Sequence, residues 1–392
     1  MKKSLLATLV ASTCLSAAAS AVEINFNGYG SIRGGMTLDD DHFPVSFPYD
    51  DDIDFKSESL FALQTTAVLN QEWSAVLVMQ ARGEEDFDLE ARWAYLNYQF
   101  SPETTLSFGR FALPYFRHSD TQDIGYSHNY TRMPTAIYRG QDFDVIEGVR
   151  VMHSTFVGDG DLTIKASFGA FDGNGDTALG VVDTELNNII QFSADYTYEW
   201  FSIYAGALFS EISLSISPLL DANLEGALPG YMVENSIVFN PAGEAVYDMN
   251  DTYIDEDDVT YFTVGSTIDY NNWLLNLEFA TSEIKDSFSE STEQVYGSVG
   301  YRFGDWVVTG VFEKVSYDYE NDSASSQDPF VNVWARGVTD AFLLPNEYDA
   351  QGIHFRYDAA AGIAYKFEYT NVHSEAVDED TGIVSFGLDF VF

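Results

Sequence analysis

The chain has 392 residues, 46% of them hydrophobic and 15% aromatic, and sets 62 acidic against 18 basic side chains for a net charge of −44. Such a surface repels polyanions, which excludes nucleic acid as a partner, and the aromatic content excludes a disordered chain. Beyond residue 21 no run approaches the ~20 apolar residues of a membrane-spanning helix.

Met1-Lys2-Lys3 is a short basic start, residues 4–16 are mostly apolar, and Ala19-Ser20-Ala21 has the A-x-A cleavage pattern. This predicts a signal peptide over 1–21 and a mature domain over 22–392; a membrane anchor would need a longer run. The single cysteine, Cys14, lies inside the leader, so the mature chain is expected to carry no disulfide and no thiol nucleophile. Ala11-Ser12-Thr13 before it lacks the Leu of a lipidation signal. Removing Lys2 and Lys3 leaves 16 basic residues and a mature net charge of −46.

From there one unit repeats: an alternating strand, a tight turn, another strand, then a longer acidic loop. Ile190, Phe192, Ala194, Tyr196 and Tyr198 alternate with Gln191, Ser193, Asp195, Thr197 and Glu199. Ile363, Tyr365, Phe367 and Tyr369 alternate with Ala364, Lys366, Glu368 and Thr370. Sixteen strands are predicted, at 23–37, 57–69, 73–83, 89–100, 105–113, 143–156, 161–171, 189–199, 201–213, 258–270, 273–284, 292–303, 305–318, 348–358, 362–373 and 382–392. Connections alternate short and long, the long ones at 38–56, 114–142, 214–257 and 319–347.

This is the pattern of an all-β chain in a closed antiparallel barrel of about 16 strands. The polar face carries Arg82, Arg150, Lys165, Asp195, Glu278, Arg302, Arg356, Lys366, Glu368 and Asp389, expected to line a lumen. A soluble barrel or a large sandwich would alternate too. Aromatics near strand ends (Tyr98, Trp200, Trp273, Tyr301) resemble the interfacial girdles of membrane barrels and favour lipid outside.

Soluble-enzyme chemistry is missing from the motifs. The histidines at 42, 118, 128, 153, 354 and 373 show no zinc spacing, and neither a nucleophile elbow nor a P-loop occurs. Gly28-Tyr29-Gly30 with Gly34 misses the dinucleotide fingerprint and reads as glycines at a tight barrel wall. Asp172-Gly173-Asn174-Gly175-Asp176 has the spacing that opens a calcium loop, but Thr177 and Asp183 break it, leaving an acidic turn outside the barrel. No enzyme activity, cofactor or bound metal is expected.

The last nine residues, 384–392, are apolar at 384, 386, 388, 390 and 392 and stop on Phe392. They resemble the terminal strand of outer-membrane barrels, where the resemblance implies that Phe386, Leu388, Phe390 and Phe392 are read by the barrel-assembly machinery. Leu106-Ser107-Phe108-Gly109-Arg110 followed by a long loop resembles the general diffusion porins of Gram-negative bacteria. That resemblance implies a long third extracellular loop folded into the lumen, with wall arginines facing loop acids across a constriction. The candidates are Arg82, Arg110 and Arg150 against Asp120 and Asp123, with Arg110 grouped by parity with Leu106 and Phe108. The Pro-Glu-Phe-Gly-Gly segment of enteric porins is missing.

The resemblance further implies a homotrimer in the cell outer membrane, in contact with lipid and lipopolysaccharide, passing small hydrophilic solutes. The charge adds a preference for cations. A channel specific for a sugar or organic ion is the alternative; a barrel enzyme, an adhesin or a soluble secreted β-domain lacks a supporting constellation.

Overall fold

The computed structural model describes residues 22–38, 47–138, 143–177, 180–251, 253–285, 287, 291–318, 326, 328–343, 347–375 and 378–392. The expected leader 1–21, His42 and the loop residue Asp142 lie outside these described residues.

The strands are β1 (Glu23–Thr37), β2 (Leu60–Val68), β3 (Trp73–Arg82), β4 (Leu89–Ser101), β5 (Thr104–Ala112), β6 (Val145–Val157), β7 (Gly160–Thr177), β8 (Gly180–Tyr198) and β9 (Phe201–Leu214). Three short strands follow, β10 (Met232–Glu234), β11 (Ile237–Phe239) and β12 (Ala245–Asp248). The rest are β13 (Asp257–Tyr270), β14 (Trp273–Ile284), β15 (Ser291–Phe303), β16 (Trp306–Asp318), β17 (Tyr348–Ala360), β18 (Ile363–Ser374) and β19 (Glu379–Val391). Apart from β10–β12, all sixteen pair antiparallel with their sequence neighbours, and β1 pairs with β19 to close the barrel. Connections on one rim are short: 69–72, 102–103, 158–159, 199–200, 271–272, 304–305 and 361–362.

The expected strands are all present; most ends shift by a few residues, but β7 runs six residues past its expected end and β8 begins nine before its expected start. One reading is corrected. Asp172 to Asp176 is no loose turn; β7 continues through it, with Asp172 opposite Glu185 and Asp176 opposite Val181. No metal-type cluster occurs among the described residues.

Side-chain direction decides what surrounds the barrel. On β18, Ile363, Tyr365, Phe367 and Tyr369 are exposed, while Ala364, Lys366, Glu368 and Thr370 are buried. The large apolar residues of β6, β13 and β14 (Val149, Val151, Phe262, Val264, Leu277, Phe279) also face out. A water-soluble barrel would bury these and expose the ions; lipid reverses the preference. Aromatic pairs ring the short-turn rim: Trp73–Tyr98, Trp200–Tyr270, Trp273–Tyr301 and Trp306–Tyr357, with centroids 4.8, 5.7, 5.0 and 4.8 Å apart. Rings with a wet edge suit that depth.

The closing seam explains the early glycines. A Cβ on Gly28 would stand 2.1 Å from the Phe392 ring, and one on Gly30 2.6 Å from the Phe390 ring. The terminal aromatic stripe therefore lies flat on a glycine stripe of β1, and Phe392 exchanges both backbone bonds with Gly28 at 2.9 Å.

Two helices, α2 (Ser217–Ala227) and α3 (Pro329–Leu343), follow a short α1 (Thr135–Tyr138). With β10–β12 they form a small cap on the long-connection rim. Leu220, Leu224, Val238, Met249, Val331 and Trp334 are buried in one cluster there, and Trp334 Nε1 donates to Asn223 Oδ1 at 2.9 Å.

Candidate channel constriction

Between β5 and β6 the chain turns into the barrel. Leu113 N donates to Asp144 O at 2.9 Å, so the two ends of the segment meet at the rim. From there Pro114 O accepts from Gln191 on β8 (2.7 Å) and Tyr204 on β9 (2.8 Å). Arg117 N donates to Glu278 on β14 at 3.2 Å, and the guanidinium reaches Ser202 and lies 3.7 Å from Asp195. Asp120 pairs with Lys165 on β7 and lies 3.7 Å from Arg150 on β6. Gln80 on β3 donates to Asp123 at 3.0 Å, and Arg92 on β4 pairs with Asp144 and stands 3.5 Å from Asp123.

The second half of the segment is held by the opposite wall. Lys366 on β18 donates to Gly125 O at 2.7 Å and pairs with Asp389 on β19 at 2.7 Å. Arg356 on β17 donates to Tyr126 O (2.8 Å) and His128 O (2.7 Å) with its guanidinium over the Tyr126 ring. Arg132 sits between Glu368 (2.5 Å) and Glu58 (3.5 Å). The first-turn amide of α1, Ala136 N, donates to Glu313 on β16 at 2.8 Å, and Tyr138 OH donates to Glu278 at 2.5 Å. A segment can bond to β3, β7, β14, β16 and β18 together only from inside the ring.

Burial sets the protonation of the segment's own groups. Desolvation pushes His128 down to about 4, despite the Thr121 carbonyl 2.8 Å from its Nε2. His118, packed edge-on against it with centroids 5.1 Å apart, is also pushed down by burial, then by His128 and Arg117. Tyr130 is pushed up to about 12 by burial, and Tyr138 is raised by burial and then by Glu278. Both histidines are therefore neutral and both tyrosines keep their hydroxyl protons at neutral pH.

The sequence candidates separate into groups. Arg150, Asp120 and Lys165 come together, and Asp123 joins Arg92 and Gln80. Arg82 touches neither loop acid; it pairs with Glu84 (2.7 Å) and Glu90 (3.2 Å) near the rim. Arg110 is corrected as a constriction residue. It shares the outward parity of Phe108 and pairs with Glu147, itself in phase with the exposed Val149, at 2.9 Å. Arg302 faces inward but at the short-turn rim, bidentate to Asp269 at 2.8 and 2.7 Å.

Arg92, Arg117, Arg132, Glu58 and Glu313 escaped the sequence reading. A register shift at Val78/Met79 turns Arg92 inward beside Trp93, so strict alternation mislabels it. Glu313 shows the buried parity of Val311 and Val315 and was legible from alternation. Arg117 and Arg132 lie in a segment without period, where no local signal exists.

An outward apolar band, an ionised interior and an inserted segment define a transmembrane barrel with the porin architecture of the Gram-negative outer membrane. Solved structures agree on the fold. The outer-membrane channel DcaP of Acinetobacter baumannii superposes with a TM-score of 0.58 at 13% identity, covering 96% of this chain and 99% of that one. OprB of Pseudomonas putida gives 0.55 at 9% identity over 94% of each chain. OmpT of Vibrio cholerae, outer-membrane expressed, gives 0.54 at 12% identity over 96% and 99%. No family model and no curated protein matches the sequence.

Proposed function

We propose that the chain is an outer-membrane porin, a water-filled channel for passive diffusion of small hydrophilic solutes. The observation that supports this is the asymmetry of the inserted segment. Toward β6–β8 its partners stay in contact with water: side chains of Asp120, Asp195 and Lys165 are 41, 35 and 22% exposed. Toward β18 they do not: Arg132 is 7% and Glu368 1% exposed. The solute path runs on the wet side, where Asp120 faces Arg150 and Lys165. Opposed charges there order water and penalise apolar solutes.

The mature charge of −46 concentrates cations at the mouth and gives small salts a cation preference. The porin resemblance supports a homotrimer, removal of 1–21 on export, and recognition of Phe386, Leu388, Phe390 and Phe392 by the barrel-assembly machinery. Acidic outer loops hold divalent cations that bridge to lipopolysaccharide. Planar-bilayer recording in a salt gradient tests the proposal. Stepwise conductance with a cation-side reversal potential supports it; an anion-side potential overturns the selectivity, and absence of conductance overturns the pore.

A further inference from the structure

We propose that the outward face of β14–β17 carries a binding groove for one lipid whose head joins a phosphate to hydroxyl groups. Its acyl chain lies over Gly297 and Gly310, and its head meets Lys314, Asp349 and Gln351. The inference needs the lipid-facing wall described above and not the solute path, so a silent pore leaves it standing.

The groove exists because two side chains are missing. Gly297 on β15 shares the outward phase of the exposed Val299, and Gly310 on β16 that of the exposed Phe312. Across the ladder Gly297 stands opposite Leu277 and Phe312, and Gly310 opposite Val299 and Ile353. The result is an open groove of about 880 Å³ walled by Leu275, Leu277, Val299 and Phe312. Glycine inside a strand marks a bulge, a bend or the close approach of another group. Here the register runs unbroken from β14 to β17, and neither glycine has a positive φ. Their surroundings also differ from those of Gly28 and Gly30, which lie beneath the chain's own Phe392 and Phe390 rings. A Cβ on Gly310 would meet only Val299 O, at 4.0 Å, and one on Gly297 only Leu277 Cδ1, at 3.8 Å. Among the described residues nothing covers this floor.

The upper end of the groove chooses the occupant. Along β16 the outward residues run Trp306, Val308, Gly310, Phe312 and Lys314, from the short-turn girdle toward the long-connection rim. Eight residues of tilted strand place Lys314 about 20 Å above Trp306, near the far edge of an apolar band about 25 Å tall. Its side chain is 45% exposed and Asp349 stands 3.5 Å away, a loose pair that leaves ammonium donors free. Gln351, opposite Phe312, is exposed, and its amide bonds to nothing among the described residues. A polar group that faces hydrocarbon without a partner is costly. A lipid phosphate accepts from Lys314 and Gln351, and a hydroxyl on the same head donates to Asp349. One side chain inserted from a second copy would fill a small part of the groove, whereas an acyl chain follows its length.

The test is native mass spectrometry of the purified full chain, released from micelles that hold phosphatidylglycerol and phosphatidylcholine in equal amounts. One phosphatidylglycerol should stay on each chain, in several-fold excess over phosphatidylcholine. Gly310→Leu enters open space and should cut retention of both lipids several-fold. Lys314→Gln should keep a lipid but erase the preference. Ala166→Leu, between the exposed Ile164 and Phe168 on β7, is the control and should change neither. Heat-modifiable gel migration checks folding. If Gly310→Leu is not folded, Gly297→Leu is read in its place, and Lys314→Gln decides by itself if neither folds. Retention unaltered by the filling variant, an equal loss in Ala166→Leu, or a preference that survives Lys314→Gln overturns the proposal. So does a Gly310→Leu chain that loses a multimer while its lipid stays bound, which would give the groove to a second copy.

Discussion

The two halves of the inserted segment are built from the same kinds of residue but held by different physics. Residues 117–120 meet the β6–β8 wall through side-chain ion pairs whose carboxylates, on Asp120 and Asp195, keep contact with water. Residues 125–138 meet the β14–β19 wall through backbone carbonyls, a helix-start amide and ion pairs shut off from solvent. An exposed pair is worth about 0–1 kcal/mol, whereas stranding one partner of a buried pair costs about 3–5 kcal/mol. The lesson is that one half anchors and the other can respond to what passes it.

The sharpest way to break this comparison is Arg132→Leu. It leaves Glu58 and Glu368 buried beside each other's field without their cation, at an expected cost of about 3–5 kcal/mol. The unfolding temperature read from heat-modifiable gel migration should drop, and proteolysis within 125–138 should appear; an unchanged profile would place the anchor elsewhere.

Acid should loosen the same half. His128 has its pKa lowered from 6.5 to about 4 by burial, with Lys366 and Arg33 also opposing its proton and Asp389 favouring it. The unfolded chain therefore takes up the proton first as pH falls. Stability is intact above pH 6.5, declines by up to roughly 3 kcal/mol toward pH 4, and levels off below. Thermal melts across that range should show the slope, and His128→Gln should flatten it.

On the wet half, Asp120→Asn should cost about 1 kcal/mol or less, because the carboxylate is 41% exposed. Its effect belongs in single-channel conductance, which should change while the melting temperature holds. A large loss of stability would erase the proposed contrast. The smallest effect is expected at the short-turn rim: Arg302→Gln removes a pair 41 and 50% exposed and should shift stability by less than about 1 kcal/mol, with conductance unaltered.

How much of this was legible differs from element to element. In β18 each residue from Ile363 to Thr370 faces as alternation predicts, because a two-residue period is fixed by the strand itself. The GxG near the start was legible as a wall feature, although its partner, the terminal phenylalanine stripe, lies more than 350 residues away. Arg110 was readable from parity alone, which grouped it with Leu106 and Phe108 against the motif that made it a candidate. Arg92 was not, because one bulge resets the phase. The helices α2 and α3 lie in connections read as plain loops; their apolar residues, Leu220, Leu224 and Trp334, face each other across some 110 positions and show no use until both loops fold together.

The amino-acid sequence by itself determined sixteen amphipathic strands, their order, their antiparallel pairing and the division into short and long connections. It could do so because pleat, turn length and hydrophobic alternation act over a few neighbouring residues. Only the tertiary structure decided which charges meet. Arg132 stands 236 positions from Glu368 and 74 from Glu58. Their pairing follows from the path of one aperiodic segment through a closed ring, where the low dielectric makes each unpaired charge costly and so selects the path that pairs them.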